Sequence, residues 1–258
     1  MPSSAPGMFT GFIAAAHRGG SLYRPNLGRE NTLHAFAEAV RLGYRYLETD
    51  VHTTADGHLV IHHDADLART TDRSGRIGDL SLAEVRRARV GGIDEIPTLD
   101  EALESFPDRR FLIDIKDAAG VSPLIAGLTR HDAWHRVSVG SFGAARLARF
   151  RRLSGARATT VADPLAVVAH LAVPGRMLPA PAAFQIPTTW RFGPFRHEVL
   201  TSSFIARAHA RGAVVHVWTI NDRSEMNRVL DLGVDGIVTD AIDVARDVLQ
   251  QRGLWEEA

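Results

Sequence analysis

Nine short apolar runs, rich in β-branched or aromatic residues, alternate with helical patterns along this chain, and that rhythm restricts the fold more than any other feature. It is what repeated βα units around a parallel sheet require. The runs are FIAAAH, YRYLETDV, HLVIHH, RFLIDIK, RVSVGSF, RATTVA, AAFQIP, AVVHVWT and DGIVTD. Between them apolar residues recur every three or four positions. In TLHAFAEAVRLG, Leu33, Phe36, Ala37 and Val40 share a face, Asn31 or Thr32 can cap, and Gly43 follows the end. At 258 residues the chain has the usual length of an eight-stranded TIM barrel. Nine runs are one too many, so AAFQIP, set among prolines, is expected outside the barrel. RTTDRSGRIGDL and VPGRMLPAPAAFQIP read as insertions over one end, and no linker, tandem repeat or low-complexity tract divides the chain. The expectation is an α/β fold: a (β/α)8 TIM barrel, one domain over residues 1–258, with short loop insertions over the C-terminal face of the strands.

Charge and composition narrow the partners. Formal net charge is zero with both signs interspersed, which argues against nucleic acid and against stable membrane association, since both call for a basic face or run. The absence of cysteine removes disulfides and thiolate metal sites. MFTGFIAAAH has neither the basic start nor the cleavage pattern of a leader, and its apolar run is too short to span a bilayer. A cytoplasmic protein acting on small molecules is expected.

In such a barrel the chemistry comes from the C-terminal ends of the strands. Polar residues fall there repeatedly: His17-Arg18, Glu48-Thr49-Asp50, His62-His63-Asp64, Asp114-Ile115-Lys116, Trp218-Thr219 and Thr239-Asp240. Strand alternation points Glu48 with Asp50 and Asp114 with Lys116, and it puts His63 on the face of Leu59 and Ile61, leaving His62 on the other. If these faces are the inner ones, three carboxylates, a lysine and two histidines converge at one mouth. Close carboxylates repel unless a cation holds them, and an all-oxygen set suits a hard divalent ion, Mg²⁺ or Ca²⁺, with Mn²⁺ also admissible. Lys116 is the single lysine among thirty basic side chains, a compact point charge where arginine offers a wide fork. Taken singly each residue has an ordinary reading: a structural histidine, a salt bridge, a core tryptophan. Their recurrence at successive strand ends is what points to a site.

AHRG, ENTLHAFAEAV, LETDVHTTADGHLVIHHDADLARTTD, IPTLDEAL, FLIDIK, VGSF, VHVWTIND and GVDGIVTD, in this order, resemble the glycerophosphodiester phosphodiesterase family nearly end to end. The resemblance implies a phospholipase-C-like phosphodiesterase barrel that hydrolyses glycerophosphodiesters to glycerol 3-phosphate and an alcohol. It also implies roles: His17 and His63 as the acid/base pair, Glu48, Asp50 and Asp114 as ligands of one divalent cation, Arg18 and Lys116 as phosphate contacts, and Trp218 as a wall near the glycerol. Asp114 stands where the family commonly has glutamate, and Arg29 where proline often precedes the ENT triplet. Two other classes stand beside this reading: a related phospholipase or lyase acting on lysophospholipids or sphingolipids, and a non-catalytic binding barrel. The former would call for an apolar loop patch, and none stands out in the sequence.

Overall fold

The computed structural model describes residues 7–172, 181–192 and 195–256. Eight parallel strands form a nearly closed barrel: β1 (Ile13–His17), β2 (Tyr46–Thr53), β3 (Arg110–Ile115), β4 (Val137–Gly140), β5 (Thr159–Thr160), β6 (Ala183–Pro187), β7 (Val214–Trp218) and β8 (Gly236–Thr239). They are hydrogen-bonded in the order β5-β4-β3-β2-β1-β8-β7-β6. The ring closes between β5 and β6 through one isolated parallel bridge, Val161 with Ala183. Helices wrap the outside: α1 (Leu33–Arg41), α2 (Leu99–Ser105), α3 (Val121–Arg130), α4 (Ala144–Ser154), α5 (Pro164–Ala172), α6 (Ser202–His209), α7 (Arg223–Asp231) and α8 (Ile242–Gln251). Among the described residues no helix is long and apolar enough to cross a membrane.

Two of the nine runs exchange the expected places. AAFQIP is a barrel strand, β6, paired in parallel with β7 from Ala183–Val214 to Pro187–Trp218. The supernumerary strand lies in HLVIHH, where Leu59–Ile61 folds back antiparallel on the end of β2, pairing Val51 with Ile61 and Thr53 with Leu59. Connection length explains the exchange. Five residues, Thr54 to His58, separate these strands, and a parallel crossover needs about a dozen or more. A tight turn with Gly57 at φ +87° closes the hairpin instead. Residues 173–180, most of the proline-rich stretch, lie outside the described residues.

Local signals set the ends of the elements. Thr32, rather than Asn31, caps α1 by accepting a hydrogen bond from the Ala35 amide, and α2 begins with a reciprocal Thr98–Glu101 capping box. Along β7, Val215 and Val217 point outward into a core shared with Phe204, Val229 and Val248 of the helices. His216 and Trp218 point inward, as period-two alternation requires. The lower barrel interior is filled by Met8, Ile13, Ala15, Tyr46, Leu112 and Val238. Gly236 is required in this layer, because a Cβ there would come within 2.7 Å of Ile13 and 2.9 Å of the His216 ring.

His216 is fully buried against the edge of Phe9, with its Nε2 unpartnered. Burial pushes it down to about 4. Between that value and the ordinary 6.5 the unfolded chain binds a proton that the folded chain refuses, so this residue makes stability fall as pH falls from about 6.5 to about 4. The accumulated loss is about 3 kcal/mol. Urea unfolding of the wild type and of His216→Gln at pH 7 and pH 4.5 should show a smaller acid-induced loss in the variant, and equal losses would refute this assignment.

Candidate active site

Three adjacent strands carry the charged side chains. The register sets His17 of β1 beside Glu48 of β2, and Asp50 of β2 beside Asp114 of β3. Lys116 follows one residue beyond β3, and His63 arrives on the return of the hairpin that follows β2. Arg18 has φ +51°, and the turn continues through Gly19, where a Cβ would lie 2.6 Å from that of Ala35. This left-handed turn keeps α1 against the strand end while Arg18 faces the mouth. His17, Arg18, Glu48, Asp50, His63, Asp114, Lys116 and Trp218, the whole set of sequence candidates, line one cavity of about 200 Å³.

Charge is densely paired there. The Lys116 ammonium donates to Asp50 Oδ1 at 2.8 Å and to Asp114 Oδ2 at 2.7 Å. Arg18 donates from its backbone amide to Glu48 at 3.2 Å and from Nη1 to Glu30 at 3.0 Å, and its Nε lies 3.5 Å from Asp50. Burial would raise Asp50, but Lys116 and Arg18 outweigh it and hold this carboxylate below its ordinary range. Glu48 is pushed up to about 7 by burial and by the neighbouring Asp50. Asp114 is raised by burial in spite of Lys116. Lys116 is itself raised, since Asp50 and Asp114 overcome its desolvation.

The two histidines share one construction. His17 Nδ1 lies 2.7 Å from Asp240 Oδ1, and His63 Nδ1 lies 2.6 Å from Asp64 Oδ1. In each ring Nε2 lies outside that pair, and in His17 it stands 3.8 Å from Glu48 Oε2. Burial would lower His17, but Glu48 and Asp240 outweigh it and raise its pKa. His63 is lowered by burial, with Lys116 and Arg18 adding to the effect. His62 is turned away, its nitrogens bonded to the Asp64 carbonyl and the Thr70 hydroxyl. His52, lying against Asp117, meets the His63 carbonyl at 3.2 Å.

Several supporting residues escaped the sequence reading. Asp240 was visible at the end of β8, but its partner His17 is 223 positions away. Ser21 and Asn221 hold its two oxygens at 2.9 Å each. Asn31, at φ +59°, donates to Asp50 Oδ2 at 3.1 Å and accepts from the Thr49 hydroxyl at 2.8 Å, so the residue that might have capped α1 orients a carboxylate instead. Arg69 clamps Glu30 and Asp64. The adjoining N-T of the ENT triplet and the D of HHD were the available signals.

Whether the carboxylates suit a metal ion can be judged from their oxygens. Among the described residues no three His, Asp or Glu side chains already stand together as a metal-binding group, and Lys116 occupies the gap between Asp50 and Asp114. The donor chemistry nevertheless fits a hard cation. Asp114 Oδ1 is buried without any hydrogen-bond partner, and burial with the neighbouring Asp50 raises Glu48 in spite of His17, Arg18 and Lys116. Both conditions are what a divalent ion among carboxylates relieves.

The facing wall is different in kind. From β4 round to β7 the cavity is lined by residues such as Phe142, Val161, Val167, Ile186, Trp190 and Trp218, and none of the described residues lining that side is ionisable. Trp218 meets the edge of Phe142 with ring centres 5.7 Å apart.

Residues 17–244 match the model of the glycerophosphoryl diester phosphodiesterase family. A Mycobacterium tuberculosis protein named probable glycerophosphodiester phosphodiesterase 2 is 40% identical over 256 residues, covering 96% of this chain and 94% of its own length. Among solved structures, an Oleispira antarctica phosphodiesterase in complex with the product sn-glycerol-3-phosphate superposes with a TM-score of 0.78 at 23% identity, covering 96% of this chain and all of the other. A glycerophosphodiester phosphodiesterase from Agrobacterium tumefaciens superposes with a TM-score of 0.74 at 21% identity, covering 91% of this chain and 99% of the other. At such identities the two structures speak to the fold.

Proposed function

Because the chain belongs to the glycerophosphoryl diester phosphodiesterase family, we propose that its cavity hydrolyses glycerophosphodiesters to glycerol 3-phosphate and an alcohol by histidine proton transfer beside a divalent cation. The observation that carries this reading is the matched pair of histidines, each with Nδ1 on its own carboxylate and Nε2 left over, on a cavity that also holds Arg18 and Lys116. A phosphodiester is a stable monoanion, so its cleavage needs charge neutralised on the non-bridging oxygens, a proton taken from the nucleophile and a proton given to the leaving alkoxide. Arg18 and Lys116 supply the first. His17 and His63 supply the other two, and their carboxylates hold the rings in the tautomer that presents Nε2. Trp218 walls the glycerol. Glu48, Asp50 and Asp114 would hold Mg²⁺ or Ca²⁺, which when bound adds positive charge against the phosphoryl oxygens.

A panel of glycerophosphodiesters, incubated with Mg²⁺, Ca²⁺ or Mn²⁺ and read by enzymatic detection of glycerol 3-phosphate, tests the proposal. Release of glycerol 3-phosphate with at least one metal is expected. No release from any diester with any of the three ions would overturn it, and accumulation of a stable cyclic phosphate by ³¹P NMR would move the protein to the lyase class.

A further inference from the structure

His17 and His63 each lean on a carboxylate, but the two carboxylates are secured differently. Asp240 is fixed through both oxygens by Ser21 and Asn221. Asp64 gives Oδ1 to His63, and its Oδ2 accepts from Arg69 Nε. The same guanidinium reaches on to Glu30, donating from Nη1 to Oε2 at 3.0 Å and from Nη2 to Oε1 at 2.7 Å. Glu30 Oε1 accepts in turn from Arg18 Nη1 at 3.0 Å. A continuous line of charge-assisted hydrogen bonds therefore joins His63 to Arg18 through Asp64, Arg69 and Glu30. The turn that carries Arg69 is held on both sides of it. Leu67 is buried with Val60 and Ile77, the Thr70 hydroxyl meets His62 Nε2 at 2.9 Å, and the Thr71 hydroxyl donates to the Leu67 carbonyl at 2.8 Å.

We propose that Arg69 is a positioning residue: its one guanidinium fixes the carboxylate that aims His63 and balances the carboxylate that holds Arg18, so a single clamp sets both the proton carrier and the phosphate contact. The work assigned to His63 and Arg18 rests on the phosphodiesterase reading; the clamp itself does not. Held through Oδ1 alone, the Asp64 carboxylate could turn about its own bonds and release the ring, and Arg69 on the second oxygen opposes that rotation. Glu30 without Arg69 would be an unbalanced anion competing with a substrate phosphate for Arg18. Burial would raise Glu30, but Arg69 and Arg18 outweigh it and hold the carboxyl below its ordinary range, so it stays ionised and keeps both arginines in place. Single surface ion pairs contribute little, whereas a planar fork with all three nitrogens engaged fixes direction, which one ammonium nitrogen cannot do across two carboxylates.

Arg69→Ala and Arg69→Lys test this, with two readouts that need no turnover. Long-range ¹H–¹⁵N NMR should show the neutral His63 ring of the wild type as the Nδ1–H tautomer alone, and as a mixture in Arg69→Ala. Calorimetry with Mg²⁺ present should show glycerol 3-phosphate binding to Arg69→Ala weakened about threefold or more, and on glycerophosphocholine the variant should raise KM and lower kcat by a similar factor each. The Arg69 side chain is 47% exposed, so the vacated place is open to solvent and millimolar guanidinium should recover part of the loss where sodium does not. Arg69→Lys should recover little. An unchanged His63 tautomer together with unchanged affinity, full activity in Arg69→Lys, or losses that merely follow a lowered melting temperature would each overturn the proposal. A disturbed tautomer and weakened affinity in Arg69→Ala, when the wild type hydrolyses no glycerophosphodiester, would uphold the clamp and refute the phosphodiesterase reading.

Discussion

Replacing His17 or His63 by alanine should lower kcat on glycerophosphocholine at least about a hundredfold, equivalent to about 2.7 kcal/mol of transition-state stabilisation. Each ring is already aimed by its own carboxylate, Asp240 for His17 and Asp64 for His63, so losing either removes an oriented proton carrier that water cannot replace at equal effective concentration. His62→Ala is the control. That ring is spent on the Asp64 carbonyl and the Thr70 hydroxyl, and its loss should reduce kcat severalfold at most. Steady-state kinetics on the three variants decide the matter. A dead His62 variant beside an active His63 variant would refute the proposed roles.

Chelation should abolish turnover, and added Mg²⁺ or Ca²⁺ should restore it. The expectation rests on three carboxylates of which one, Asp114, has a buried oxygen without a partner and another, Glu48, is pushed up to about 7 by burial and by Asp50. Isothermal titration of the protein alone supplies a second readout: the wild type should bind one ion, and Asp114→Asn should bind it at least about tenfold more weakly, about 1.4 kcal/mol. Full activity in a metal-free preparation would remove the cation from the mechanism. Unchanged affinity in the Asp114 variant would leave that residue only its contact with Lys116.

The site was more legible in the sequence than the strand order. Period-two alternation paired Asp114 with Lys116 because it is a local geometric rule, independent of which strand lies beside which. It did not place His63: Leu59 and Ile61, whose face His63 was expected to share, pack outward among the helices, and His63 reaches the cavity because the strand ends at Ile61. Assigning AAFQIP and HLVIHH required judging connections, and there the prolines carried too much weight. The five-residue link before Leu59 already forbade a parallel crossover, and Pro187 ends β6 without interrupting its ladder. Asp240 and Asn31 were out of reach for another reason. The role of Asp240 exists only once the two ends of the chain meet in the barrel, and that of Asn31 only once the loop after β1 folds over β2, and no local pattern encodes either meeting. Lys116 lay between these cases: its direction and its neighbour Asp114 could be read, but its second partner, Asp50, could not. Two carboxylates converge on its one nitrogen, which a planar guanidinium would have to reach with separate arms.

The joint between β5 and β6, held by one bridge, lies on the uncharged side of the mouth, whereas β1, β2 and β3 are neighbours along continuous ladders. The residues proposed for proton transfer and phosphate binding therefore sit on the well-laddered half of the ring, and the uncharged wall sits at its loosest seam. Insertions or exchanges between residues 140 and 190 can reshape what is accepted while leaving the reacting groups where they are. Over generations, a chain built this way can drift among diesters at constant chemistry, so diversity of substrates among its descendants belongs to the seam and uniformity of reaction to the ladders.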